Sequence, residues 1–315
     1  MTMKISTSSW NARAEKTWAA GSSVVAALFL TGLKMAVGLA TNSLGILAEA
    51  AHSALDLGAA LMTLFAVRVS DRPPDEKHAF GHGKIENLSA LFETLLLLIT
   101  CAWIVRESYR RLLVAAEPVE ATPWAFLVMG VSIVVDLSRT RVLRRAARKH
   151  DSQALEADAL HFETDIWSSS VVLLALAGVW LAGRRPGLEW MLSADAVAAL
   201  GVAVIVVVVS IRLGVRAVGC LLDGIEPAVS LPIADAIRAT CGVLGLHRMR
   251  VRTAGAQTFV DVHILVDRRE TISEAHAIAH RVHASVRGIV PRSDVLVHVE
   301  PGRPEKLGAG VTEGL

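Results

Sequence analysis

Apolar residues come in long blocks over the first two-thirds of the chain and in short alternating runs over the last third. Six blocks stand out, roughly Trp18–Ala40, Leu44–Val69, Leu88–Ser108, Trp124–Val142, Phe162–Ala182 and Ala194–Val218. Each is long enough to cross a bilayer as a helix, since about 20 apolar residues span the hydrocarbon. A helix is the natural choice there, because lipid offers backbone groups no partners. From about Leu222 the pattern changes, with Pro227 and Pro232 marking the exit. "SLPIADAIRATCG" repeats its apolar residues every three or four positions, as a helix does. "LHRMRVRT" and "TFVDVHILV" alternate as strands around the turn "AGAQ". "ISEAHAIAHRVHASVRG" reads as an amphipathic helix ending at Gly288, and "SDVLVHVE" as a third strand.

The expected architecture is a membrane all-α domain of six helices followed by a small α+β domain of order αββαβ, with helices on one face of a sheet. The expected divisions are 1–17, a polar N-terminal segment; 18–221, the six-helix domain; 222–301, the α+β domain; and 302–315, a Gly- and Glu-containing end read as disordered. Nothing like a small-residue cleavage site precedes the first span, which is read as retained.

Composition agrees with a membrane protein: 53% of the 315 residues are hydrophobic and the mean hydropathy is +0.47. A net charge of +2 suggests no nucleic-acid partner, but the placement of the charge is informative. Lys4, Arg13 and Lys16, then Arg68, Arg72, Lys77 and Lys84, then Arg139, Arg141, Arg144, Arg145, Arg148 and Lys149 fall on one side of the six spans. Only Arg106, Arg110, Arg111, Arg184 and Arg185 fall on the other. The positive-inside rule therefore puts both termini and the α+β domain in the cytoplasm. Cys101, Cys220 and Cys241 form no CxxC pair, so neither a disulfide framework nor a thiolate zinc site is indicated.

The spans are not uniformly apolar. "AEAAHSALD" (48–56) interrupts the second with Glu49, His52 and Asp56, and "ALHFETD" opens the fifth with His161 and Asp165. Ionisable groups in lipid are costly, so by default they mark a functional site. His and Asp four residues apart share one helix face, one turn apart. Two such pairs on two helices can converge four ligands, two imidazoles and two carboxylates, on one tetrahedral Zn²⁺. A single pair would more simply be a hydrogen bond that joins helices. Two pairs with the same order and spacing favour the metal site. Glu49 lies near His52 on the helix surface, as a proton relay, a partner that orients His52, or a structural hydrogen-bonding group. Lys34 and Asp136 lie within reach of an interface and are expected to snorkel.

These segments resemble those of the cation diffusion facilitators, proton-coupled exporters of zinc and related metals. "SLGILAEAAHSALD" is similar to the family's second-helix signature, "HAFGHGKIENL" to the approach to its third helix, and "ALHFETD" to its fifth-helix signature. "LLDG" at 221–224 is similar to the junction with the cytoplasmic domain, and the αββαβ tail to that domain's metallochaperone-like fold. The resemblance covers nearly the whole length. It implies a homodimer in the lipid bilayer that alternates its access and exports a divalent metal ion from the cytosol in exchange for protons. His52, Asp56, His161 and Asp165 would be the transport site. His-Asp facing His-Asp is associated with zinc, sometimes cadmium or cobalt. All-carboxylate sites lean to manganese, and an Asp in place of His52 leans to zinc or iron. Chemistry supports the coupling separately, because an imidazole nitrogen binds a proton or a metal but not both.

Three further groups follow. Asp75, His78 and His82 form a candidate second metal site in the loop after the second span, where the family carries one; alternatively, Gly81 and Gly83 shape a turn with solvated histidines. In the tail, His247 and His263 fall on adjacent strands, His276 on the helix, and His298 and Glu300 on one face of the last strand. The family has zinc sites at these positions that bridge subunits; Glu300 stands where many relatives have Asp. His280 and His283 continue the helix. The resemblance also pairs Lys84 with Asp223 as a charge interlock; otherwise they are exposed charges worth little. The stretch "RTRVLRRAARKHDSQALEAD" reads as a basic loop suited to anionic headgroups, not the His-rich loop of many zinc exporters.

An enzyme is not indicated, since no nucleophile–base set and no phosphate loop appear. Other readings are a cadmium, cobalt, iron or manganese exporter of the same family, a non-transporting membrane metal sensor, and an organic-cation transporter, which would need a richer aromatic lining than one Tyr, seven Trp and seven Phe supply. With 25 Arg against 7 Lys, the composition suggests a GC-rich bacterium and so the inner (cell) membrane.

Overall fold

The computed structural model describes residues 7–42, 44–113, 122–182, 190–225 and 227–302. Among them are eight helices and one three-stranded sheet, which divide into two units, Met1–Ala217 and Val218–Leu315.

The first unit contains α1 (Thr7–Thr41), α2 (Leu44–Ser70), α3 (Lys84–Leu113), α4 (Pro123–His150), α5 (Gln153–Ala182) and most of α6 (Trp190–Leu221). By length and composition, α1, α2, α3 and α6 are apolar enough to cross a membrane. The six helices expected of this unit are present. α4 (28 residues) and α5 (30 residues) are as long, but carry Asp136, Arg139, Arg141, Arg144 and Arg145, and Glu156, Asp158, Glu163 and Asp165. Helix α1 starts well before Trp18, because Ala12, Lys16 and Ala19 continue its buried face.

α1 packs along α2 and α4, α4 along α5, and α3 against α2 and α5. The contacts are lined by small residues: Ala19 and Ala20 of α1, Ala66 of α2, Ala146 and Ala147 of α4, and Ala154 and Ala159 of α5 meet around Phe162. Small side chains let helix backbones approach, as membrane helix packing requires. Gly38 shows how tight this becomes, since a Cβ there would fall 2.8 Å from Leu47 Cδ2. Large apolar side chains point outward instead, among them Trp18, Phe29, Leu55, Phe65, Ile99 and Leu174.

The basic stretch read as a loop between α4 and α5 is almost wholly helical. Leu143, Ala146, Ala147 and His150 keep a buried face at helical spacing, and a turn at Asp151 (φ 51°) leads through Ser152 into α5. Its charges find protein partners. Arg139 is buried on Asp136 at 3.2 Å, Arg144 pairs with Glu163, and Lys149 and His150 both reach Glu15. Asp136 and Lys34 do not snorkel either. Lys34 is buried, 3.2 Å from Glu49 and 2.8 Å from Ser53 Oγ.

The second unit contains α7 (Pro227–Arg238), β1 (Gly245–Ala254), β2 (Gln257–Asp267), α8 (Ile272–Ile289) and β3 (Ser293–Gly302), the αββαβ order expected. β2 lies centrally, antiparallel to β1 and parallel to β3. Val260, Val262, Ile264 and Val266 alternate along β2 and meet Ile233 and Ile237 of α7 and Ile278, Val282 and Val286 of α8. Both helices thus cover one sheet face and leave the other open. Thr271 caps α8 with Glu274 in a reciprocal capping box. The expected 302–315 segment lies outside the described residues except for Gly302, the last residue of β3.

Candidate metal centre

Alternating large outward and small or polar inward residues gives α2 an interior stripe: Glu49, His52, Asp56, Ala59, Thr63, Ala66 and Ser70, spaced three and four apart. On α5 the matching stripe holds Asp158, His161 and Asp165. The two stripes face each other. His161 Nε2 lies 3.1 Å from Asp56 Oδ1 and 3.7 Å from Asp165 Oδ2. His52 Nε2 lies 3.9 Å from both Asp56 Oδ1 and Asp165 Oδ1. Asp56, His161 and Asp165 each offer one ligand atom within 4.8 Å of the others. His52 closes the set from the more open side, its side chain 30% exposed against 4% for His161. Two imidazoles and two carboxylates converging from two helices suit a tetrahedral divalent cation and neutralise its charge. Glu49 is joined to Lys34, which neutralises it beside the site.

A second group lies between α2 and α3. Asp75 Oδ1 is 3.1 Å from His78 Nδ1, and Asp75 Oδ2 is 3.4 Å from His82 Nε2. Asp75 also accepts from the backbone N–H groups of His78 and Lys77. The His78 N–H is the main reason its carboxyl is held below the ordinary aspartate value. Gly81, at φ 78°, turns the loop that holds the three together.

The third group lies on the open sheet face. His247, His263 and His298 stand in register across β1, β2 and β3. Glu300 Oε1 is 2.7 Å from His263 Nδ1 and 3.6 Å from His298 Nε2, while Glu300 Oε2 is 3.1 Å from His247 Nε2. The contact with His263, then that with His247, holds Glu300 below the ordinary glutamate value. A β-bulge makes this possible. Between His247 and Arg250 the ladder slips, with Arg248 at φ 49°. Strict alternation would set His247 opposite Ile264, on the core side; the extra residue turns it to the open face.

His276 is not part of that group. α8 packs on the opposite sheet face, and His276 stands exposed there, its Nε2 3.1 Å from His280 Nε2. Lys84 opens α3, and Asp223 lies 3.9 Å from Arg252 within the second unit.

Sequence reasoning passed over several buried polar groups. Glu93 and Asp158 are fully buried, and Glu86 joins Lys16 at 3.0 Å, Ser70 at 2.9 Å and Ser152. Their signal was positional: Asp158 precedes His161 by three residues, and Glu86 and Glu93 are seven apart on one face of α3.

Long helices that hide carboxylates and imidazoles inside and turn large apolar side chains outward describe a cation-handling protein of the membrane. The comparisons name the family. The cation efflux transmembrane domain matches residues 22–222, and the cation efflux protein cytoplasmic domain matches 229–302. The "Cation-efflux pump FieF" of Yersinia pestis (strain Pestoides F) is 34% identical over 262 residues, 83% of this chain and 84% of the relative. That of Yersinia pseudotuberculosis serotype O:3 (strain YPIII) matches equally. A solved MamM-CTD structure is 33% identical over 24% of this chain and 96% of its own, at a TM-score of 0.23. The chain belongs to the cation efflux family, the cation diffusion facilitators, membrane-integral exporters of divalent metal ions.

Proposed function

We propose that the protein exports Zn²⁺ from the cytosol in exchange for protons, as a homodimer that alternates its access, with His52, Asp56, His161 and Asp165 holding the ion in transit. The observation that carries this is the convergence of the two His-Asp pairs from α2 and α5 on one point. Two imidazoles select against the hard cations Ca²⁺ and Mg²⁺, and the described ligand set contains no thiolate to favour softer ones. The imidazole Nε2 atoms bind either the ion or a proton, so ion entry releases protons and protonation returns the ion to the other side. Asp56 and Asp165 supply the negative charge that offsets the ion's removal from water.

The loop and tail groups have donors that fit zinc, two imidazoles with a carboxylate or three with Glu300. Asp75, His78 and His82 would hold a resident ion that modulates transport. His247, His263, His298 and Glu300 would hold one or more on the sheet face, where the family's dimer contact is expected. Both termini face the cytoplasm, in a bacterial inner membrane, as the distribution of Lys and Arg supports.

The test is zinc uptake into proteoliposomes loaded with a zinc dye under an imposed pH gradient, comparing wild type with Asp56→Ala and His161→Ala. The expected result is flux that tracks the gradient and is lost in both variants, with cadmium and cobalt carried in preference to manganese and iron. Undiminished flux in the variants would mark the paired motifs as structural, and preferred manganese or iron transport would overturn the choice of zinc.

A further inference from the structure

Beside the four-residue site the bundle holds two more acids. Glu93 of α3 and Asp158 of α5 are fully buried. Each has one oxygen served by a hydroxyl: Thr63 of α2 donates to Glu93 Oε1, and Ser23 of α1 donates to Asp158 Oδ2 at 3.2 Å. The other oxygen of each, Glu93 Oε2 and Asp158 Oδ1, meets no hydrogen-bond partner among the described residues. Neither acid belongs to the group of ligand atoms formed by Asp56, His161 and Asp165.

A buried carboxylate oxygen without a donor is costly as an anion. A proton placed on it removes the charge and creates a donor. Both acids are buried in the same helical unit, where a charge without a counter-charge is costly. The surrounding charges complete the picture. His161 and Asp165 act on Asp158 from its own helix, His161 acts on Glu93, and α4 brings Arg139 toward Asp158. Arg139 is itself held by Asp136 and by Ser23 Oγ, with its guanidinium 3.3 Å from the Phe162 ring centroid. α1 and α2 contribute the hydroxyls of Ser23 and Thr63 to the two acids.

We propose that Glu93 and Asp158 form a proton-binding pair, separate from the ion's ligands, that carries a proton while the cation site is empty and gives it up when the cation is bound. An arriving divalent cation makes the potential at both acids more positive and so favours their anions. Departure of the cation reverses this. The O–H bond breaks with its electron pair left on the carboxylate, and the proton passes to the aqueous face toward which the carrier is then open. The pair thus adds to the charge exchanged per ion without competing for ligand positions. The proposal rests on the proton-exchange reading above.

The test uses the full chain in proteoliposomes, with zinc flux and the internal pH dye pyranine recorded in the same vesicles for wild type, Glu93→Gln, Asp158→Asn, Glu93→Asp and Asp158→Glu. The Gln and Asn variants are expected to carry zinc while moving fewer protons for each ion, a loss of about one proton per zinc in the double variant. The Asp and Glu variants are expected to keep the wild-type ratio. A wild-type ratio in Glu93→Gln, Asp158→Asn and their double variant overturns the pair's role, as does loss of zinc flux in the neutral and the conservative variants alike, which marks the acids as structural. Zinc flux in wild type with no proton movement would overturn the antiport reading itself, before any variant is compared.

Discussion

In the helical unit many buried positions are small or polar, around a few large residues such as Phe162, and many large apolar side chains face out; the tail's core is made of branched aliphatic residues. Ala20, Ala50, Ala60 and Ala66 are buried, as are Asn87, Glu93 and Asp158, while Leu55, Ile99 and Leu174 are exposed. The tail buries Ile233, Ile237, Val260, Ile264 and Val282, and its charges lie outside. The same chemistry explains both. Water drives apolar groups together, so the tail's core is branched and aliphatic. Lipid is as apolar as leucine and gives no such push. Helices there associate through close backbone contact and polar bonds, which small residues and buried hydroxyls and carboxylates supply. Two of the three imidazole–carboxylate clusters follow suit: the one between α2 and α5 is enclosed, and the tail's lies open on a sheet face.

The comparison breaks most sharply at the enclosed cluster. Asp165→Ala should lower metal affinity at the transport site by at least about 100-fold, since even residues that only orient ligands cost 10–100-fold. Glu300→Ala, on the open face, should leave zinc flux within roughly tenfold of wild type and release tail-bound zinc, because a ligand exposed to water is replaced by water. Zinc titration of the full-length variants separates the two outcomes.

Core substitutions come next. Ile264→Ala removes a fully buried side chain from the tail and should destabilise that unit by about 2–5 kcal/mol, read as earlier proteolysis of the tail in a denaturant series. Leu174→Ala in α5 removes a side chain left 71% exposed, and should shift stability in a bilayer by no more than about 0.5 kcal/mol. A large loss there would contradict its outward placement. Conversely, Ala60→Leu in α2 overfills a tight helix contact and should cost about 1–3 kcal/mol.

The smallest effect lies at the start of α8. Thr271→Ala removes the hydroxyl of the capping box and should cost about 0.5–2 kcal/mol. The partner Glu274 has its pKa lowered from 4.5, mainly by the Thr271 backbone N–H and then by the Thr271 hydroxyl. A lowered carboxylate stabilises above its unfolded value, and that contribution is lost as pH falls through the folded one. The protection of amides in the first turn of α8, relative to the unfolded chain at the same pH, should therefore fall on acidification below the ordinary glutamate range, and Thr271→Ala should blunt the change.

Much of this was legible along the chain. The six helices, the αββαβ tail and the equal spacing of His52–Asp56 and His161–Asp165 all follow from periodicity, because a helix face is fixed by positions three and four apart and a strand face by every second residue. Where polarity was read alone, it misled. Lys34 and Asp136 looked like interface charges, and the basic stretch that begins at Arg139 looked like a loop although most of it belongs to α4. Their partners, Glu49, Asp136, Glu15 and Glu163, sit elsewhere in the chain or on a neighbouring turn, and only packing brings them into reach.

What the sequence determined by itself was the set of ligand types, their spacing on each helix and the order of the elements, since these depend on local geometry. What only the tertiary structure decided was which groups meet. Helix packing put Asp56 beside His161 and hid Glu93 and Asp158, a bulge at Arg248 turned His247 toward His263, and the sheet separated His276 from both. Those outcomes depend on the docking of faces and on one extra residue in a ladder, neither of which a one-dimensional pattern records.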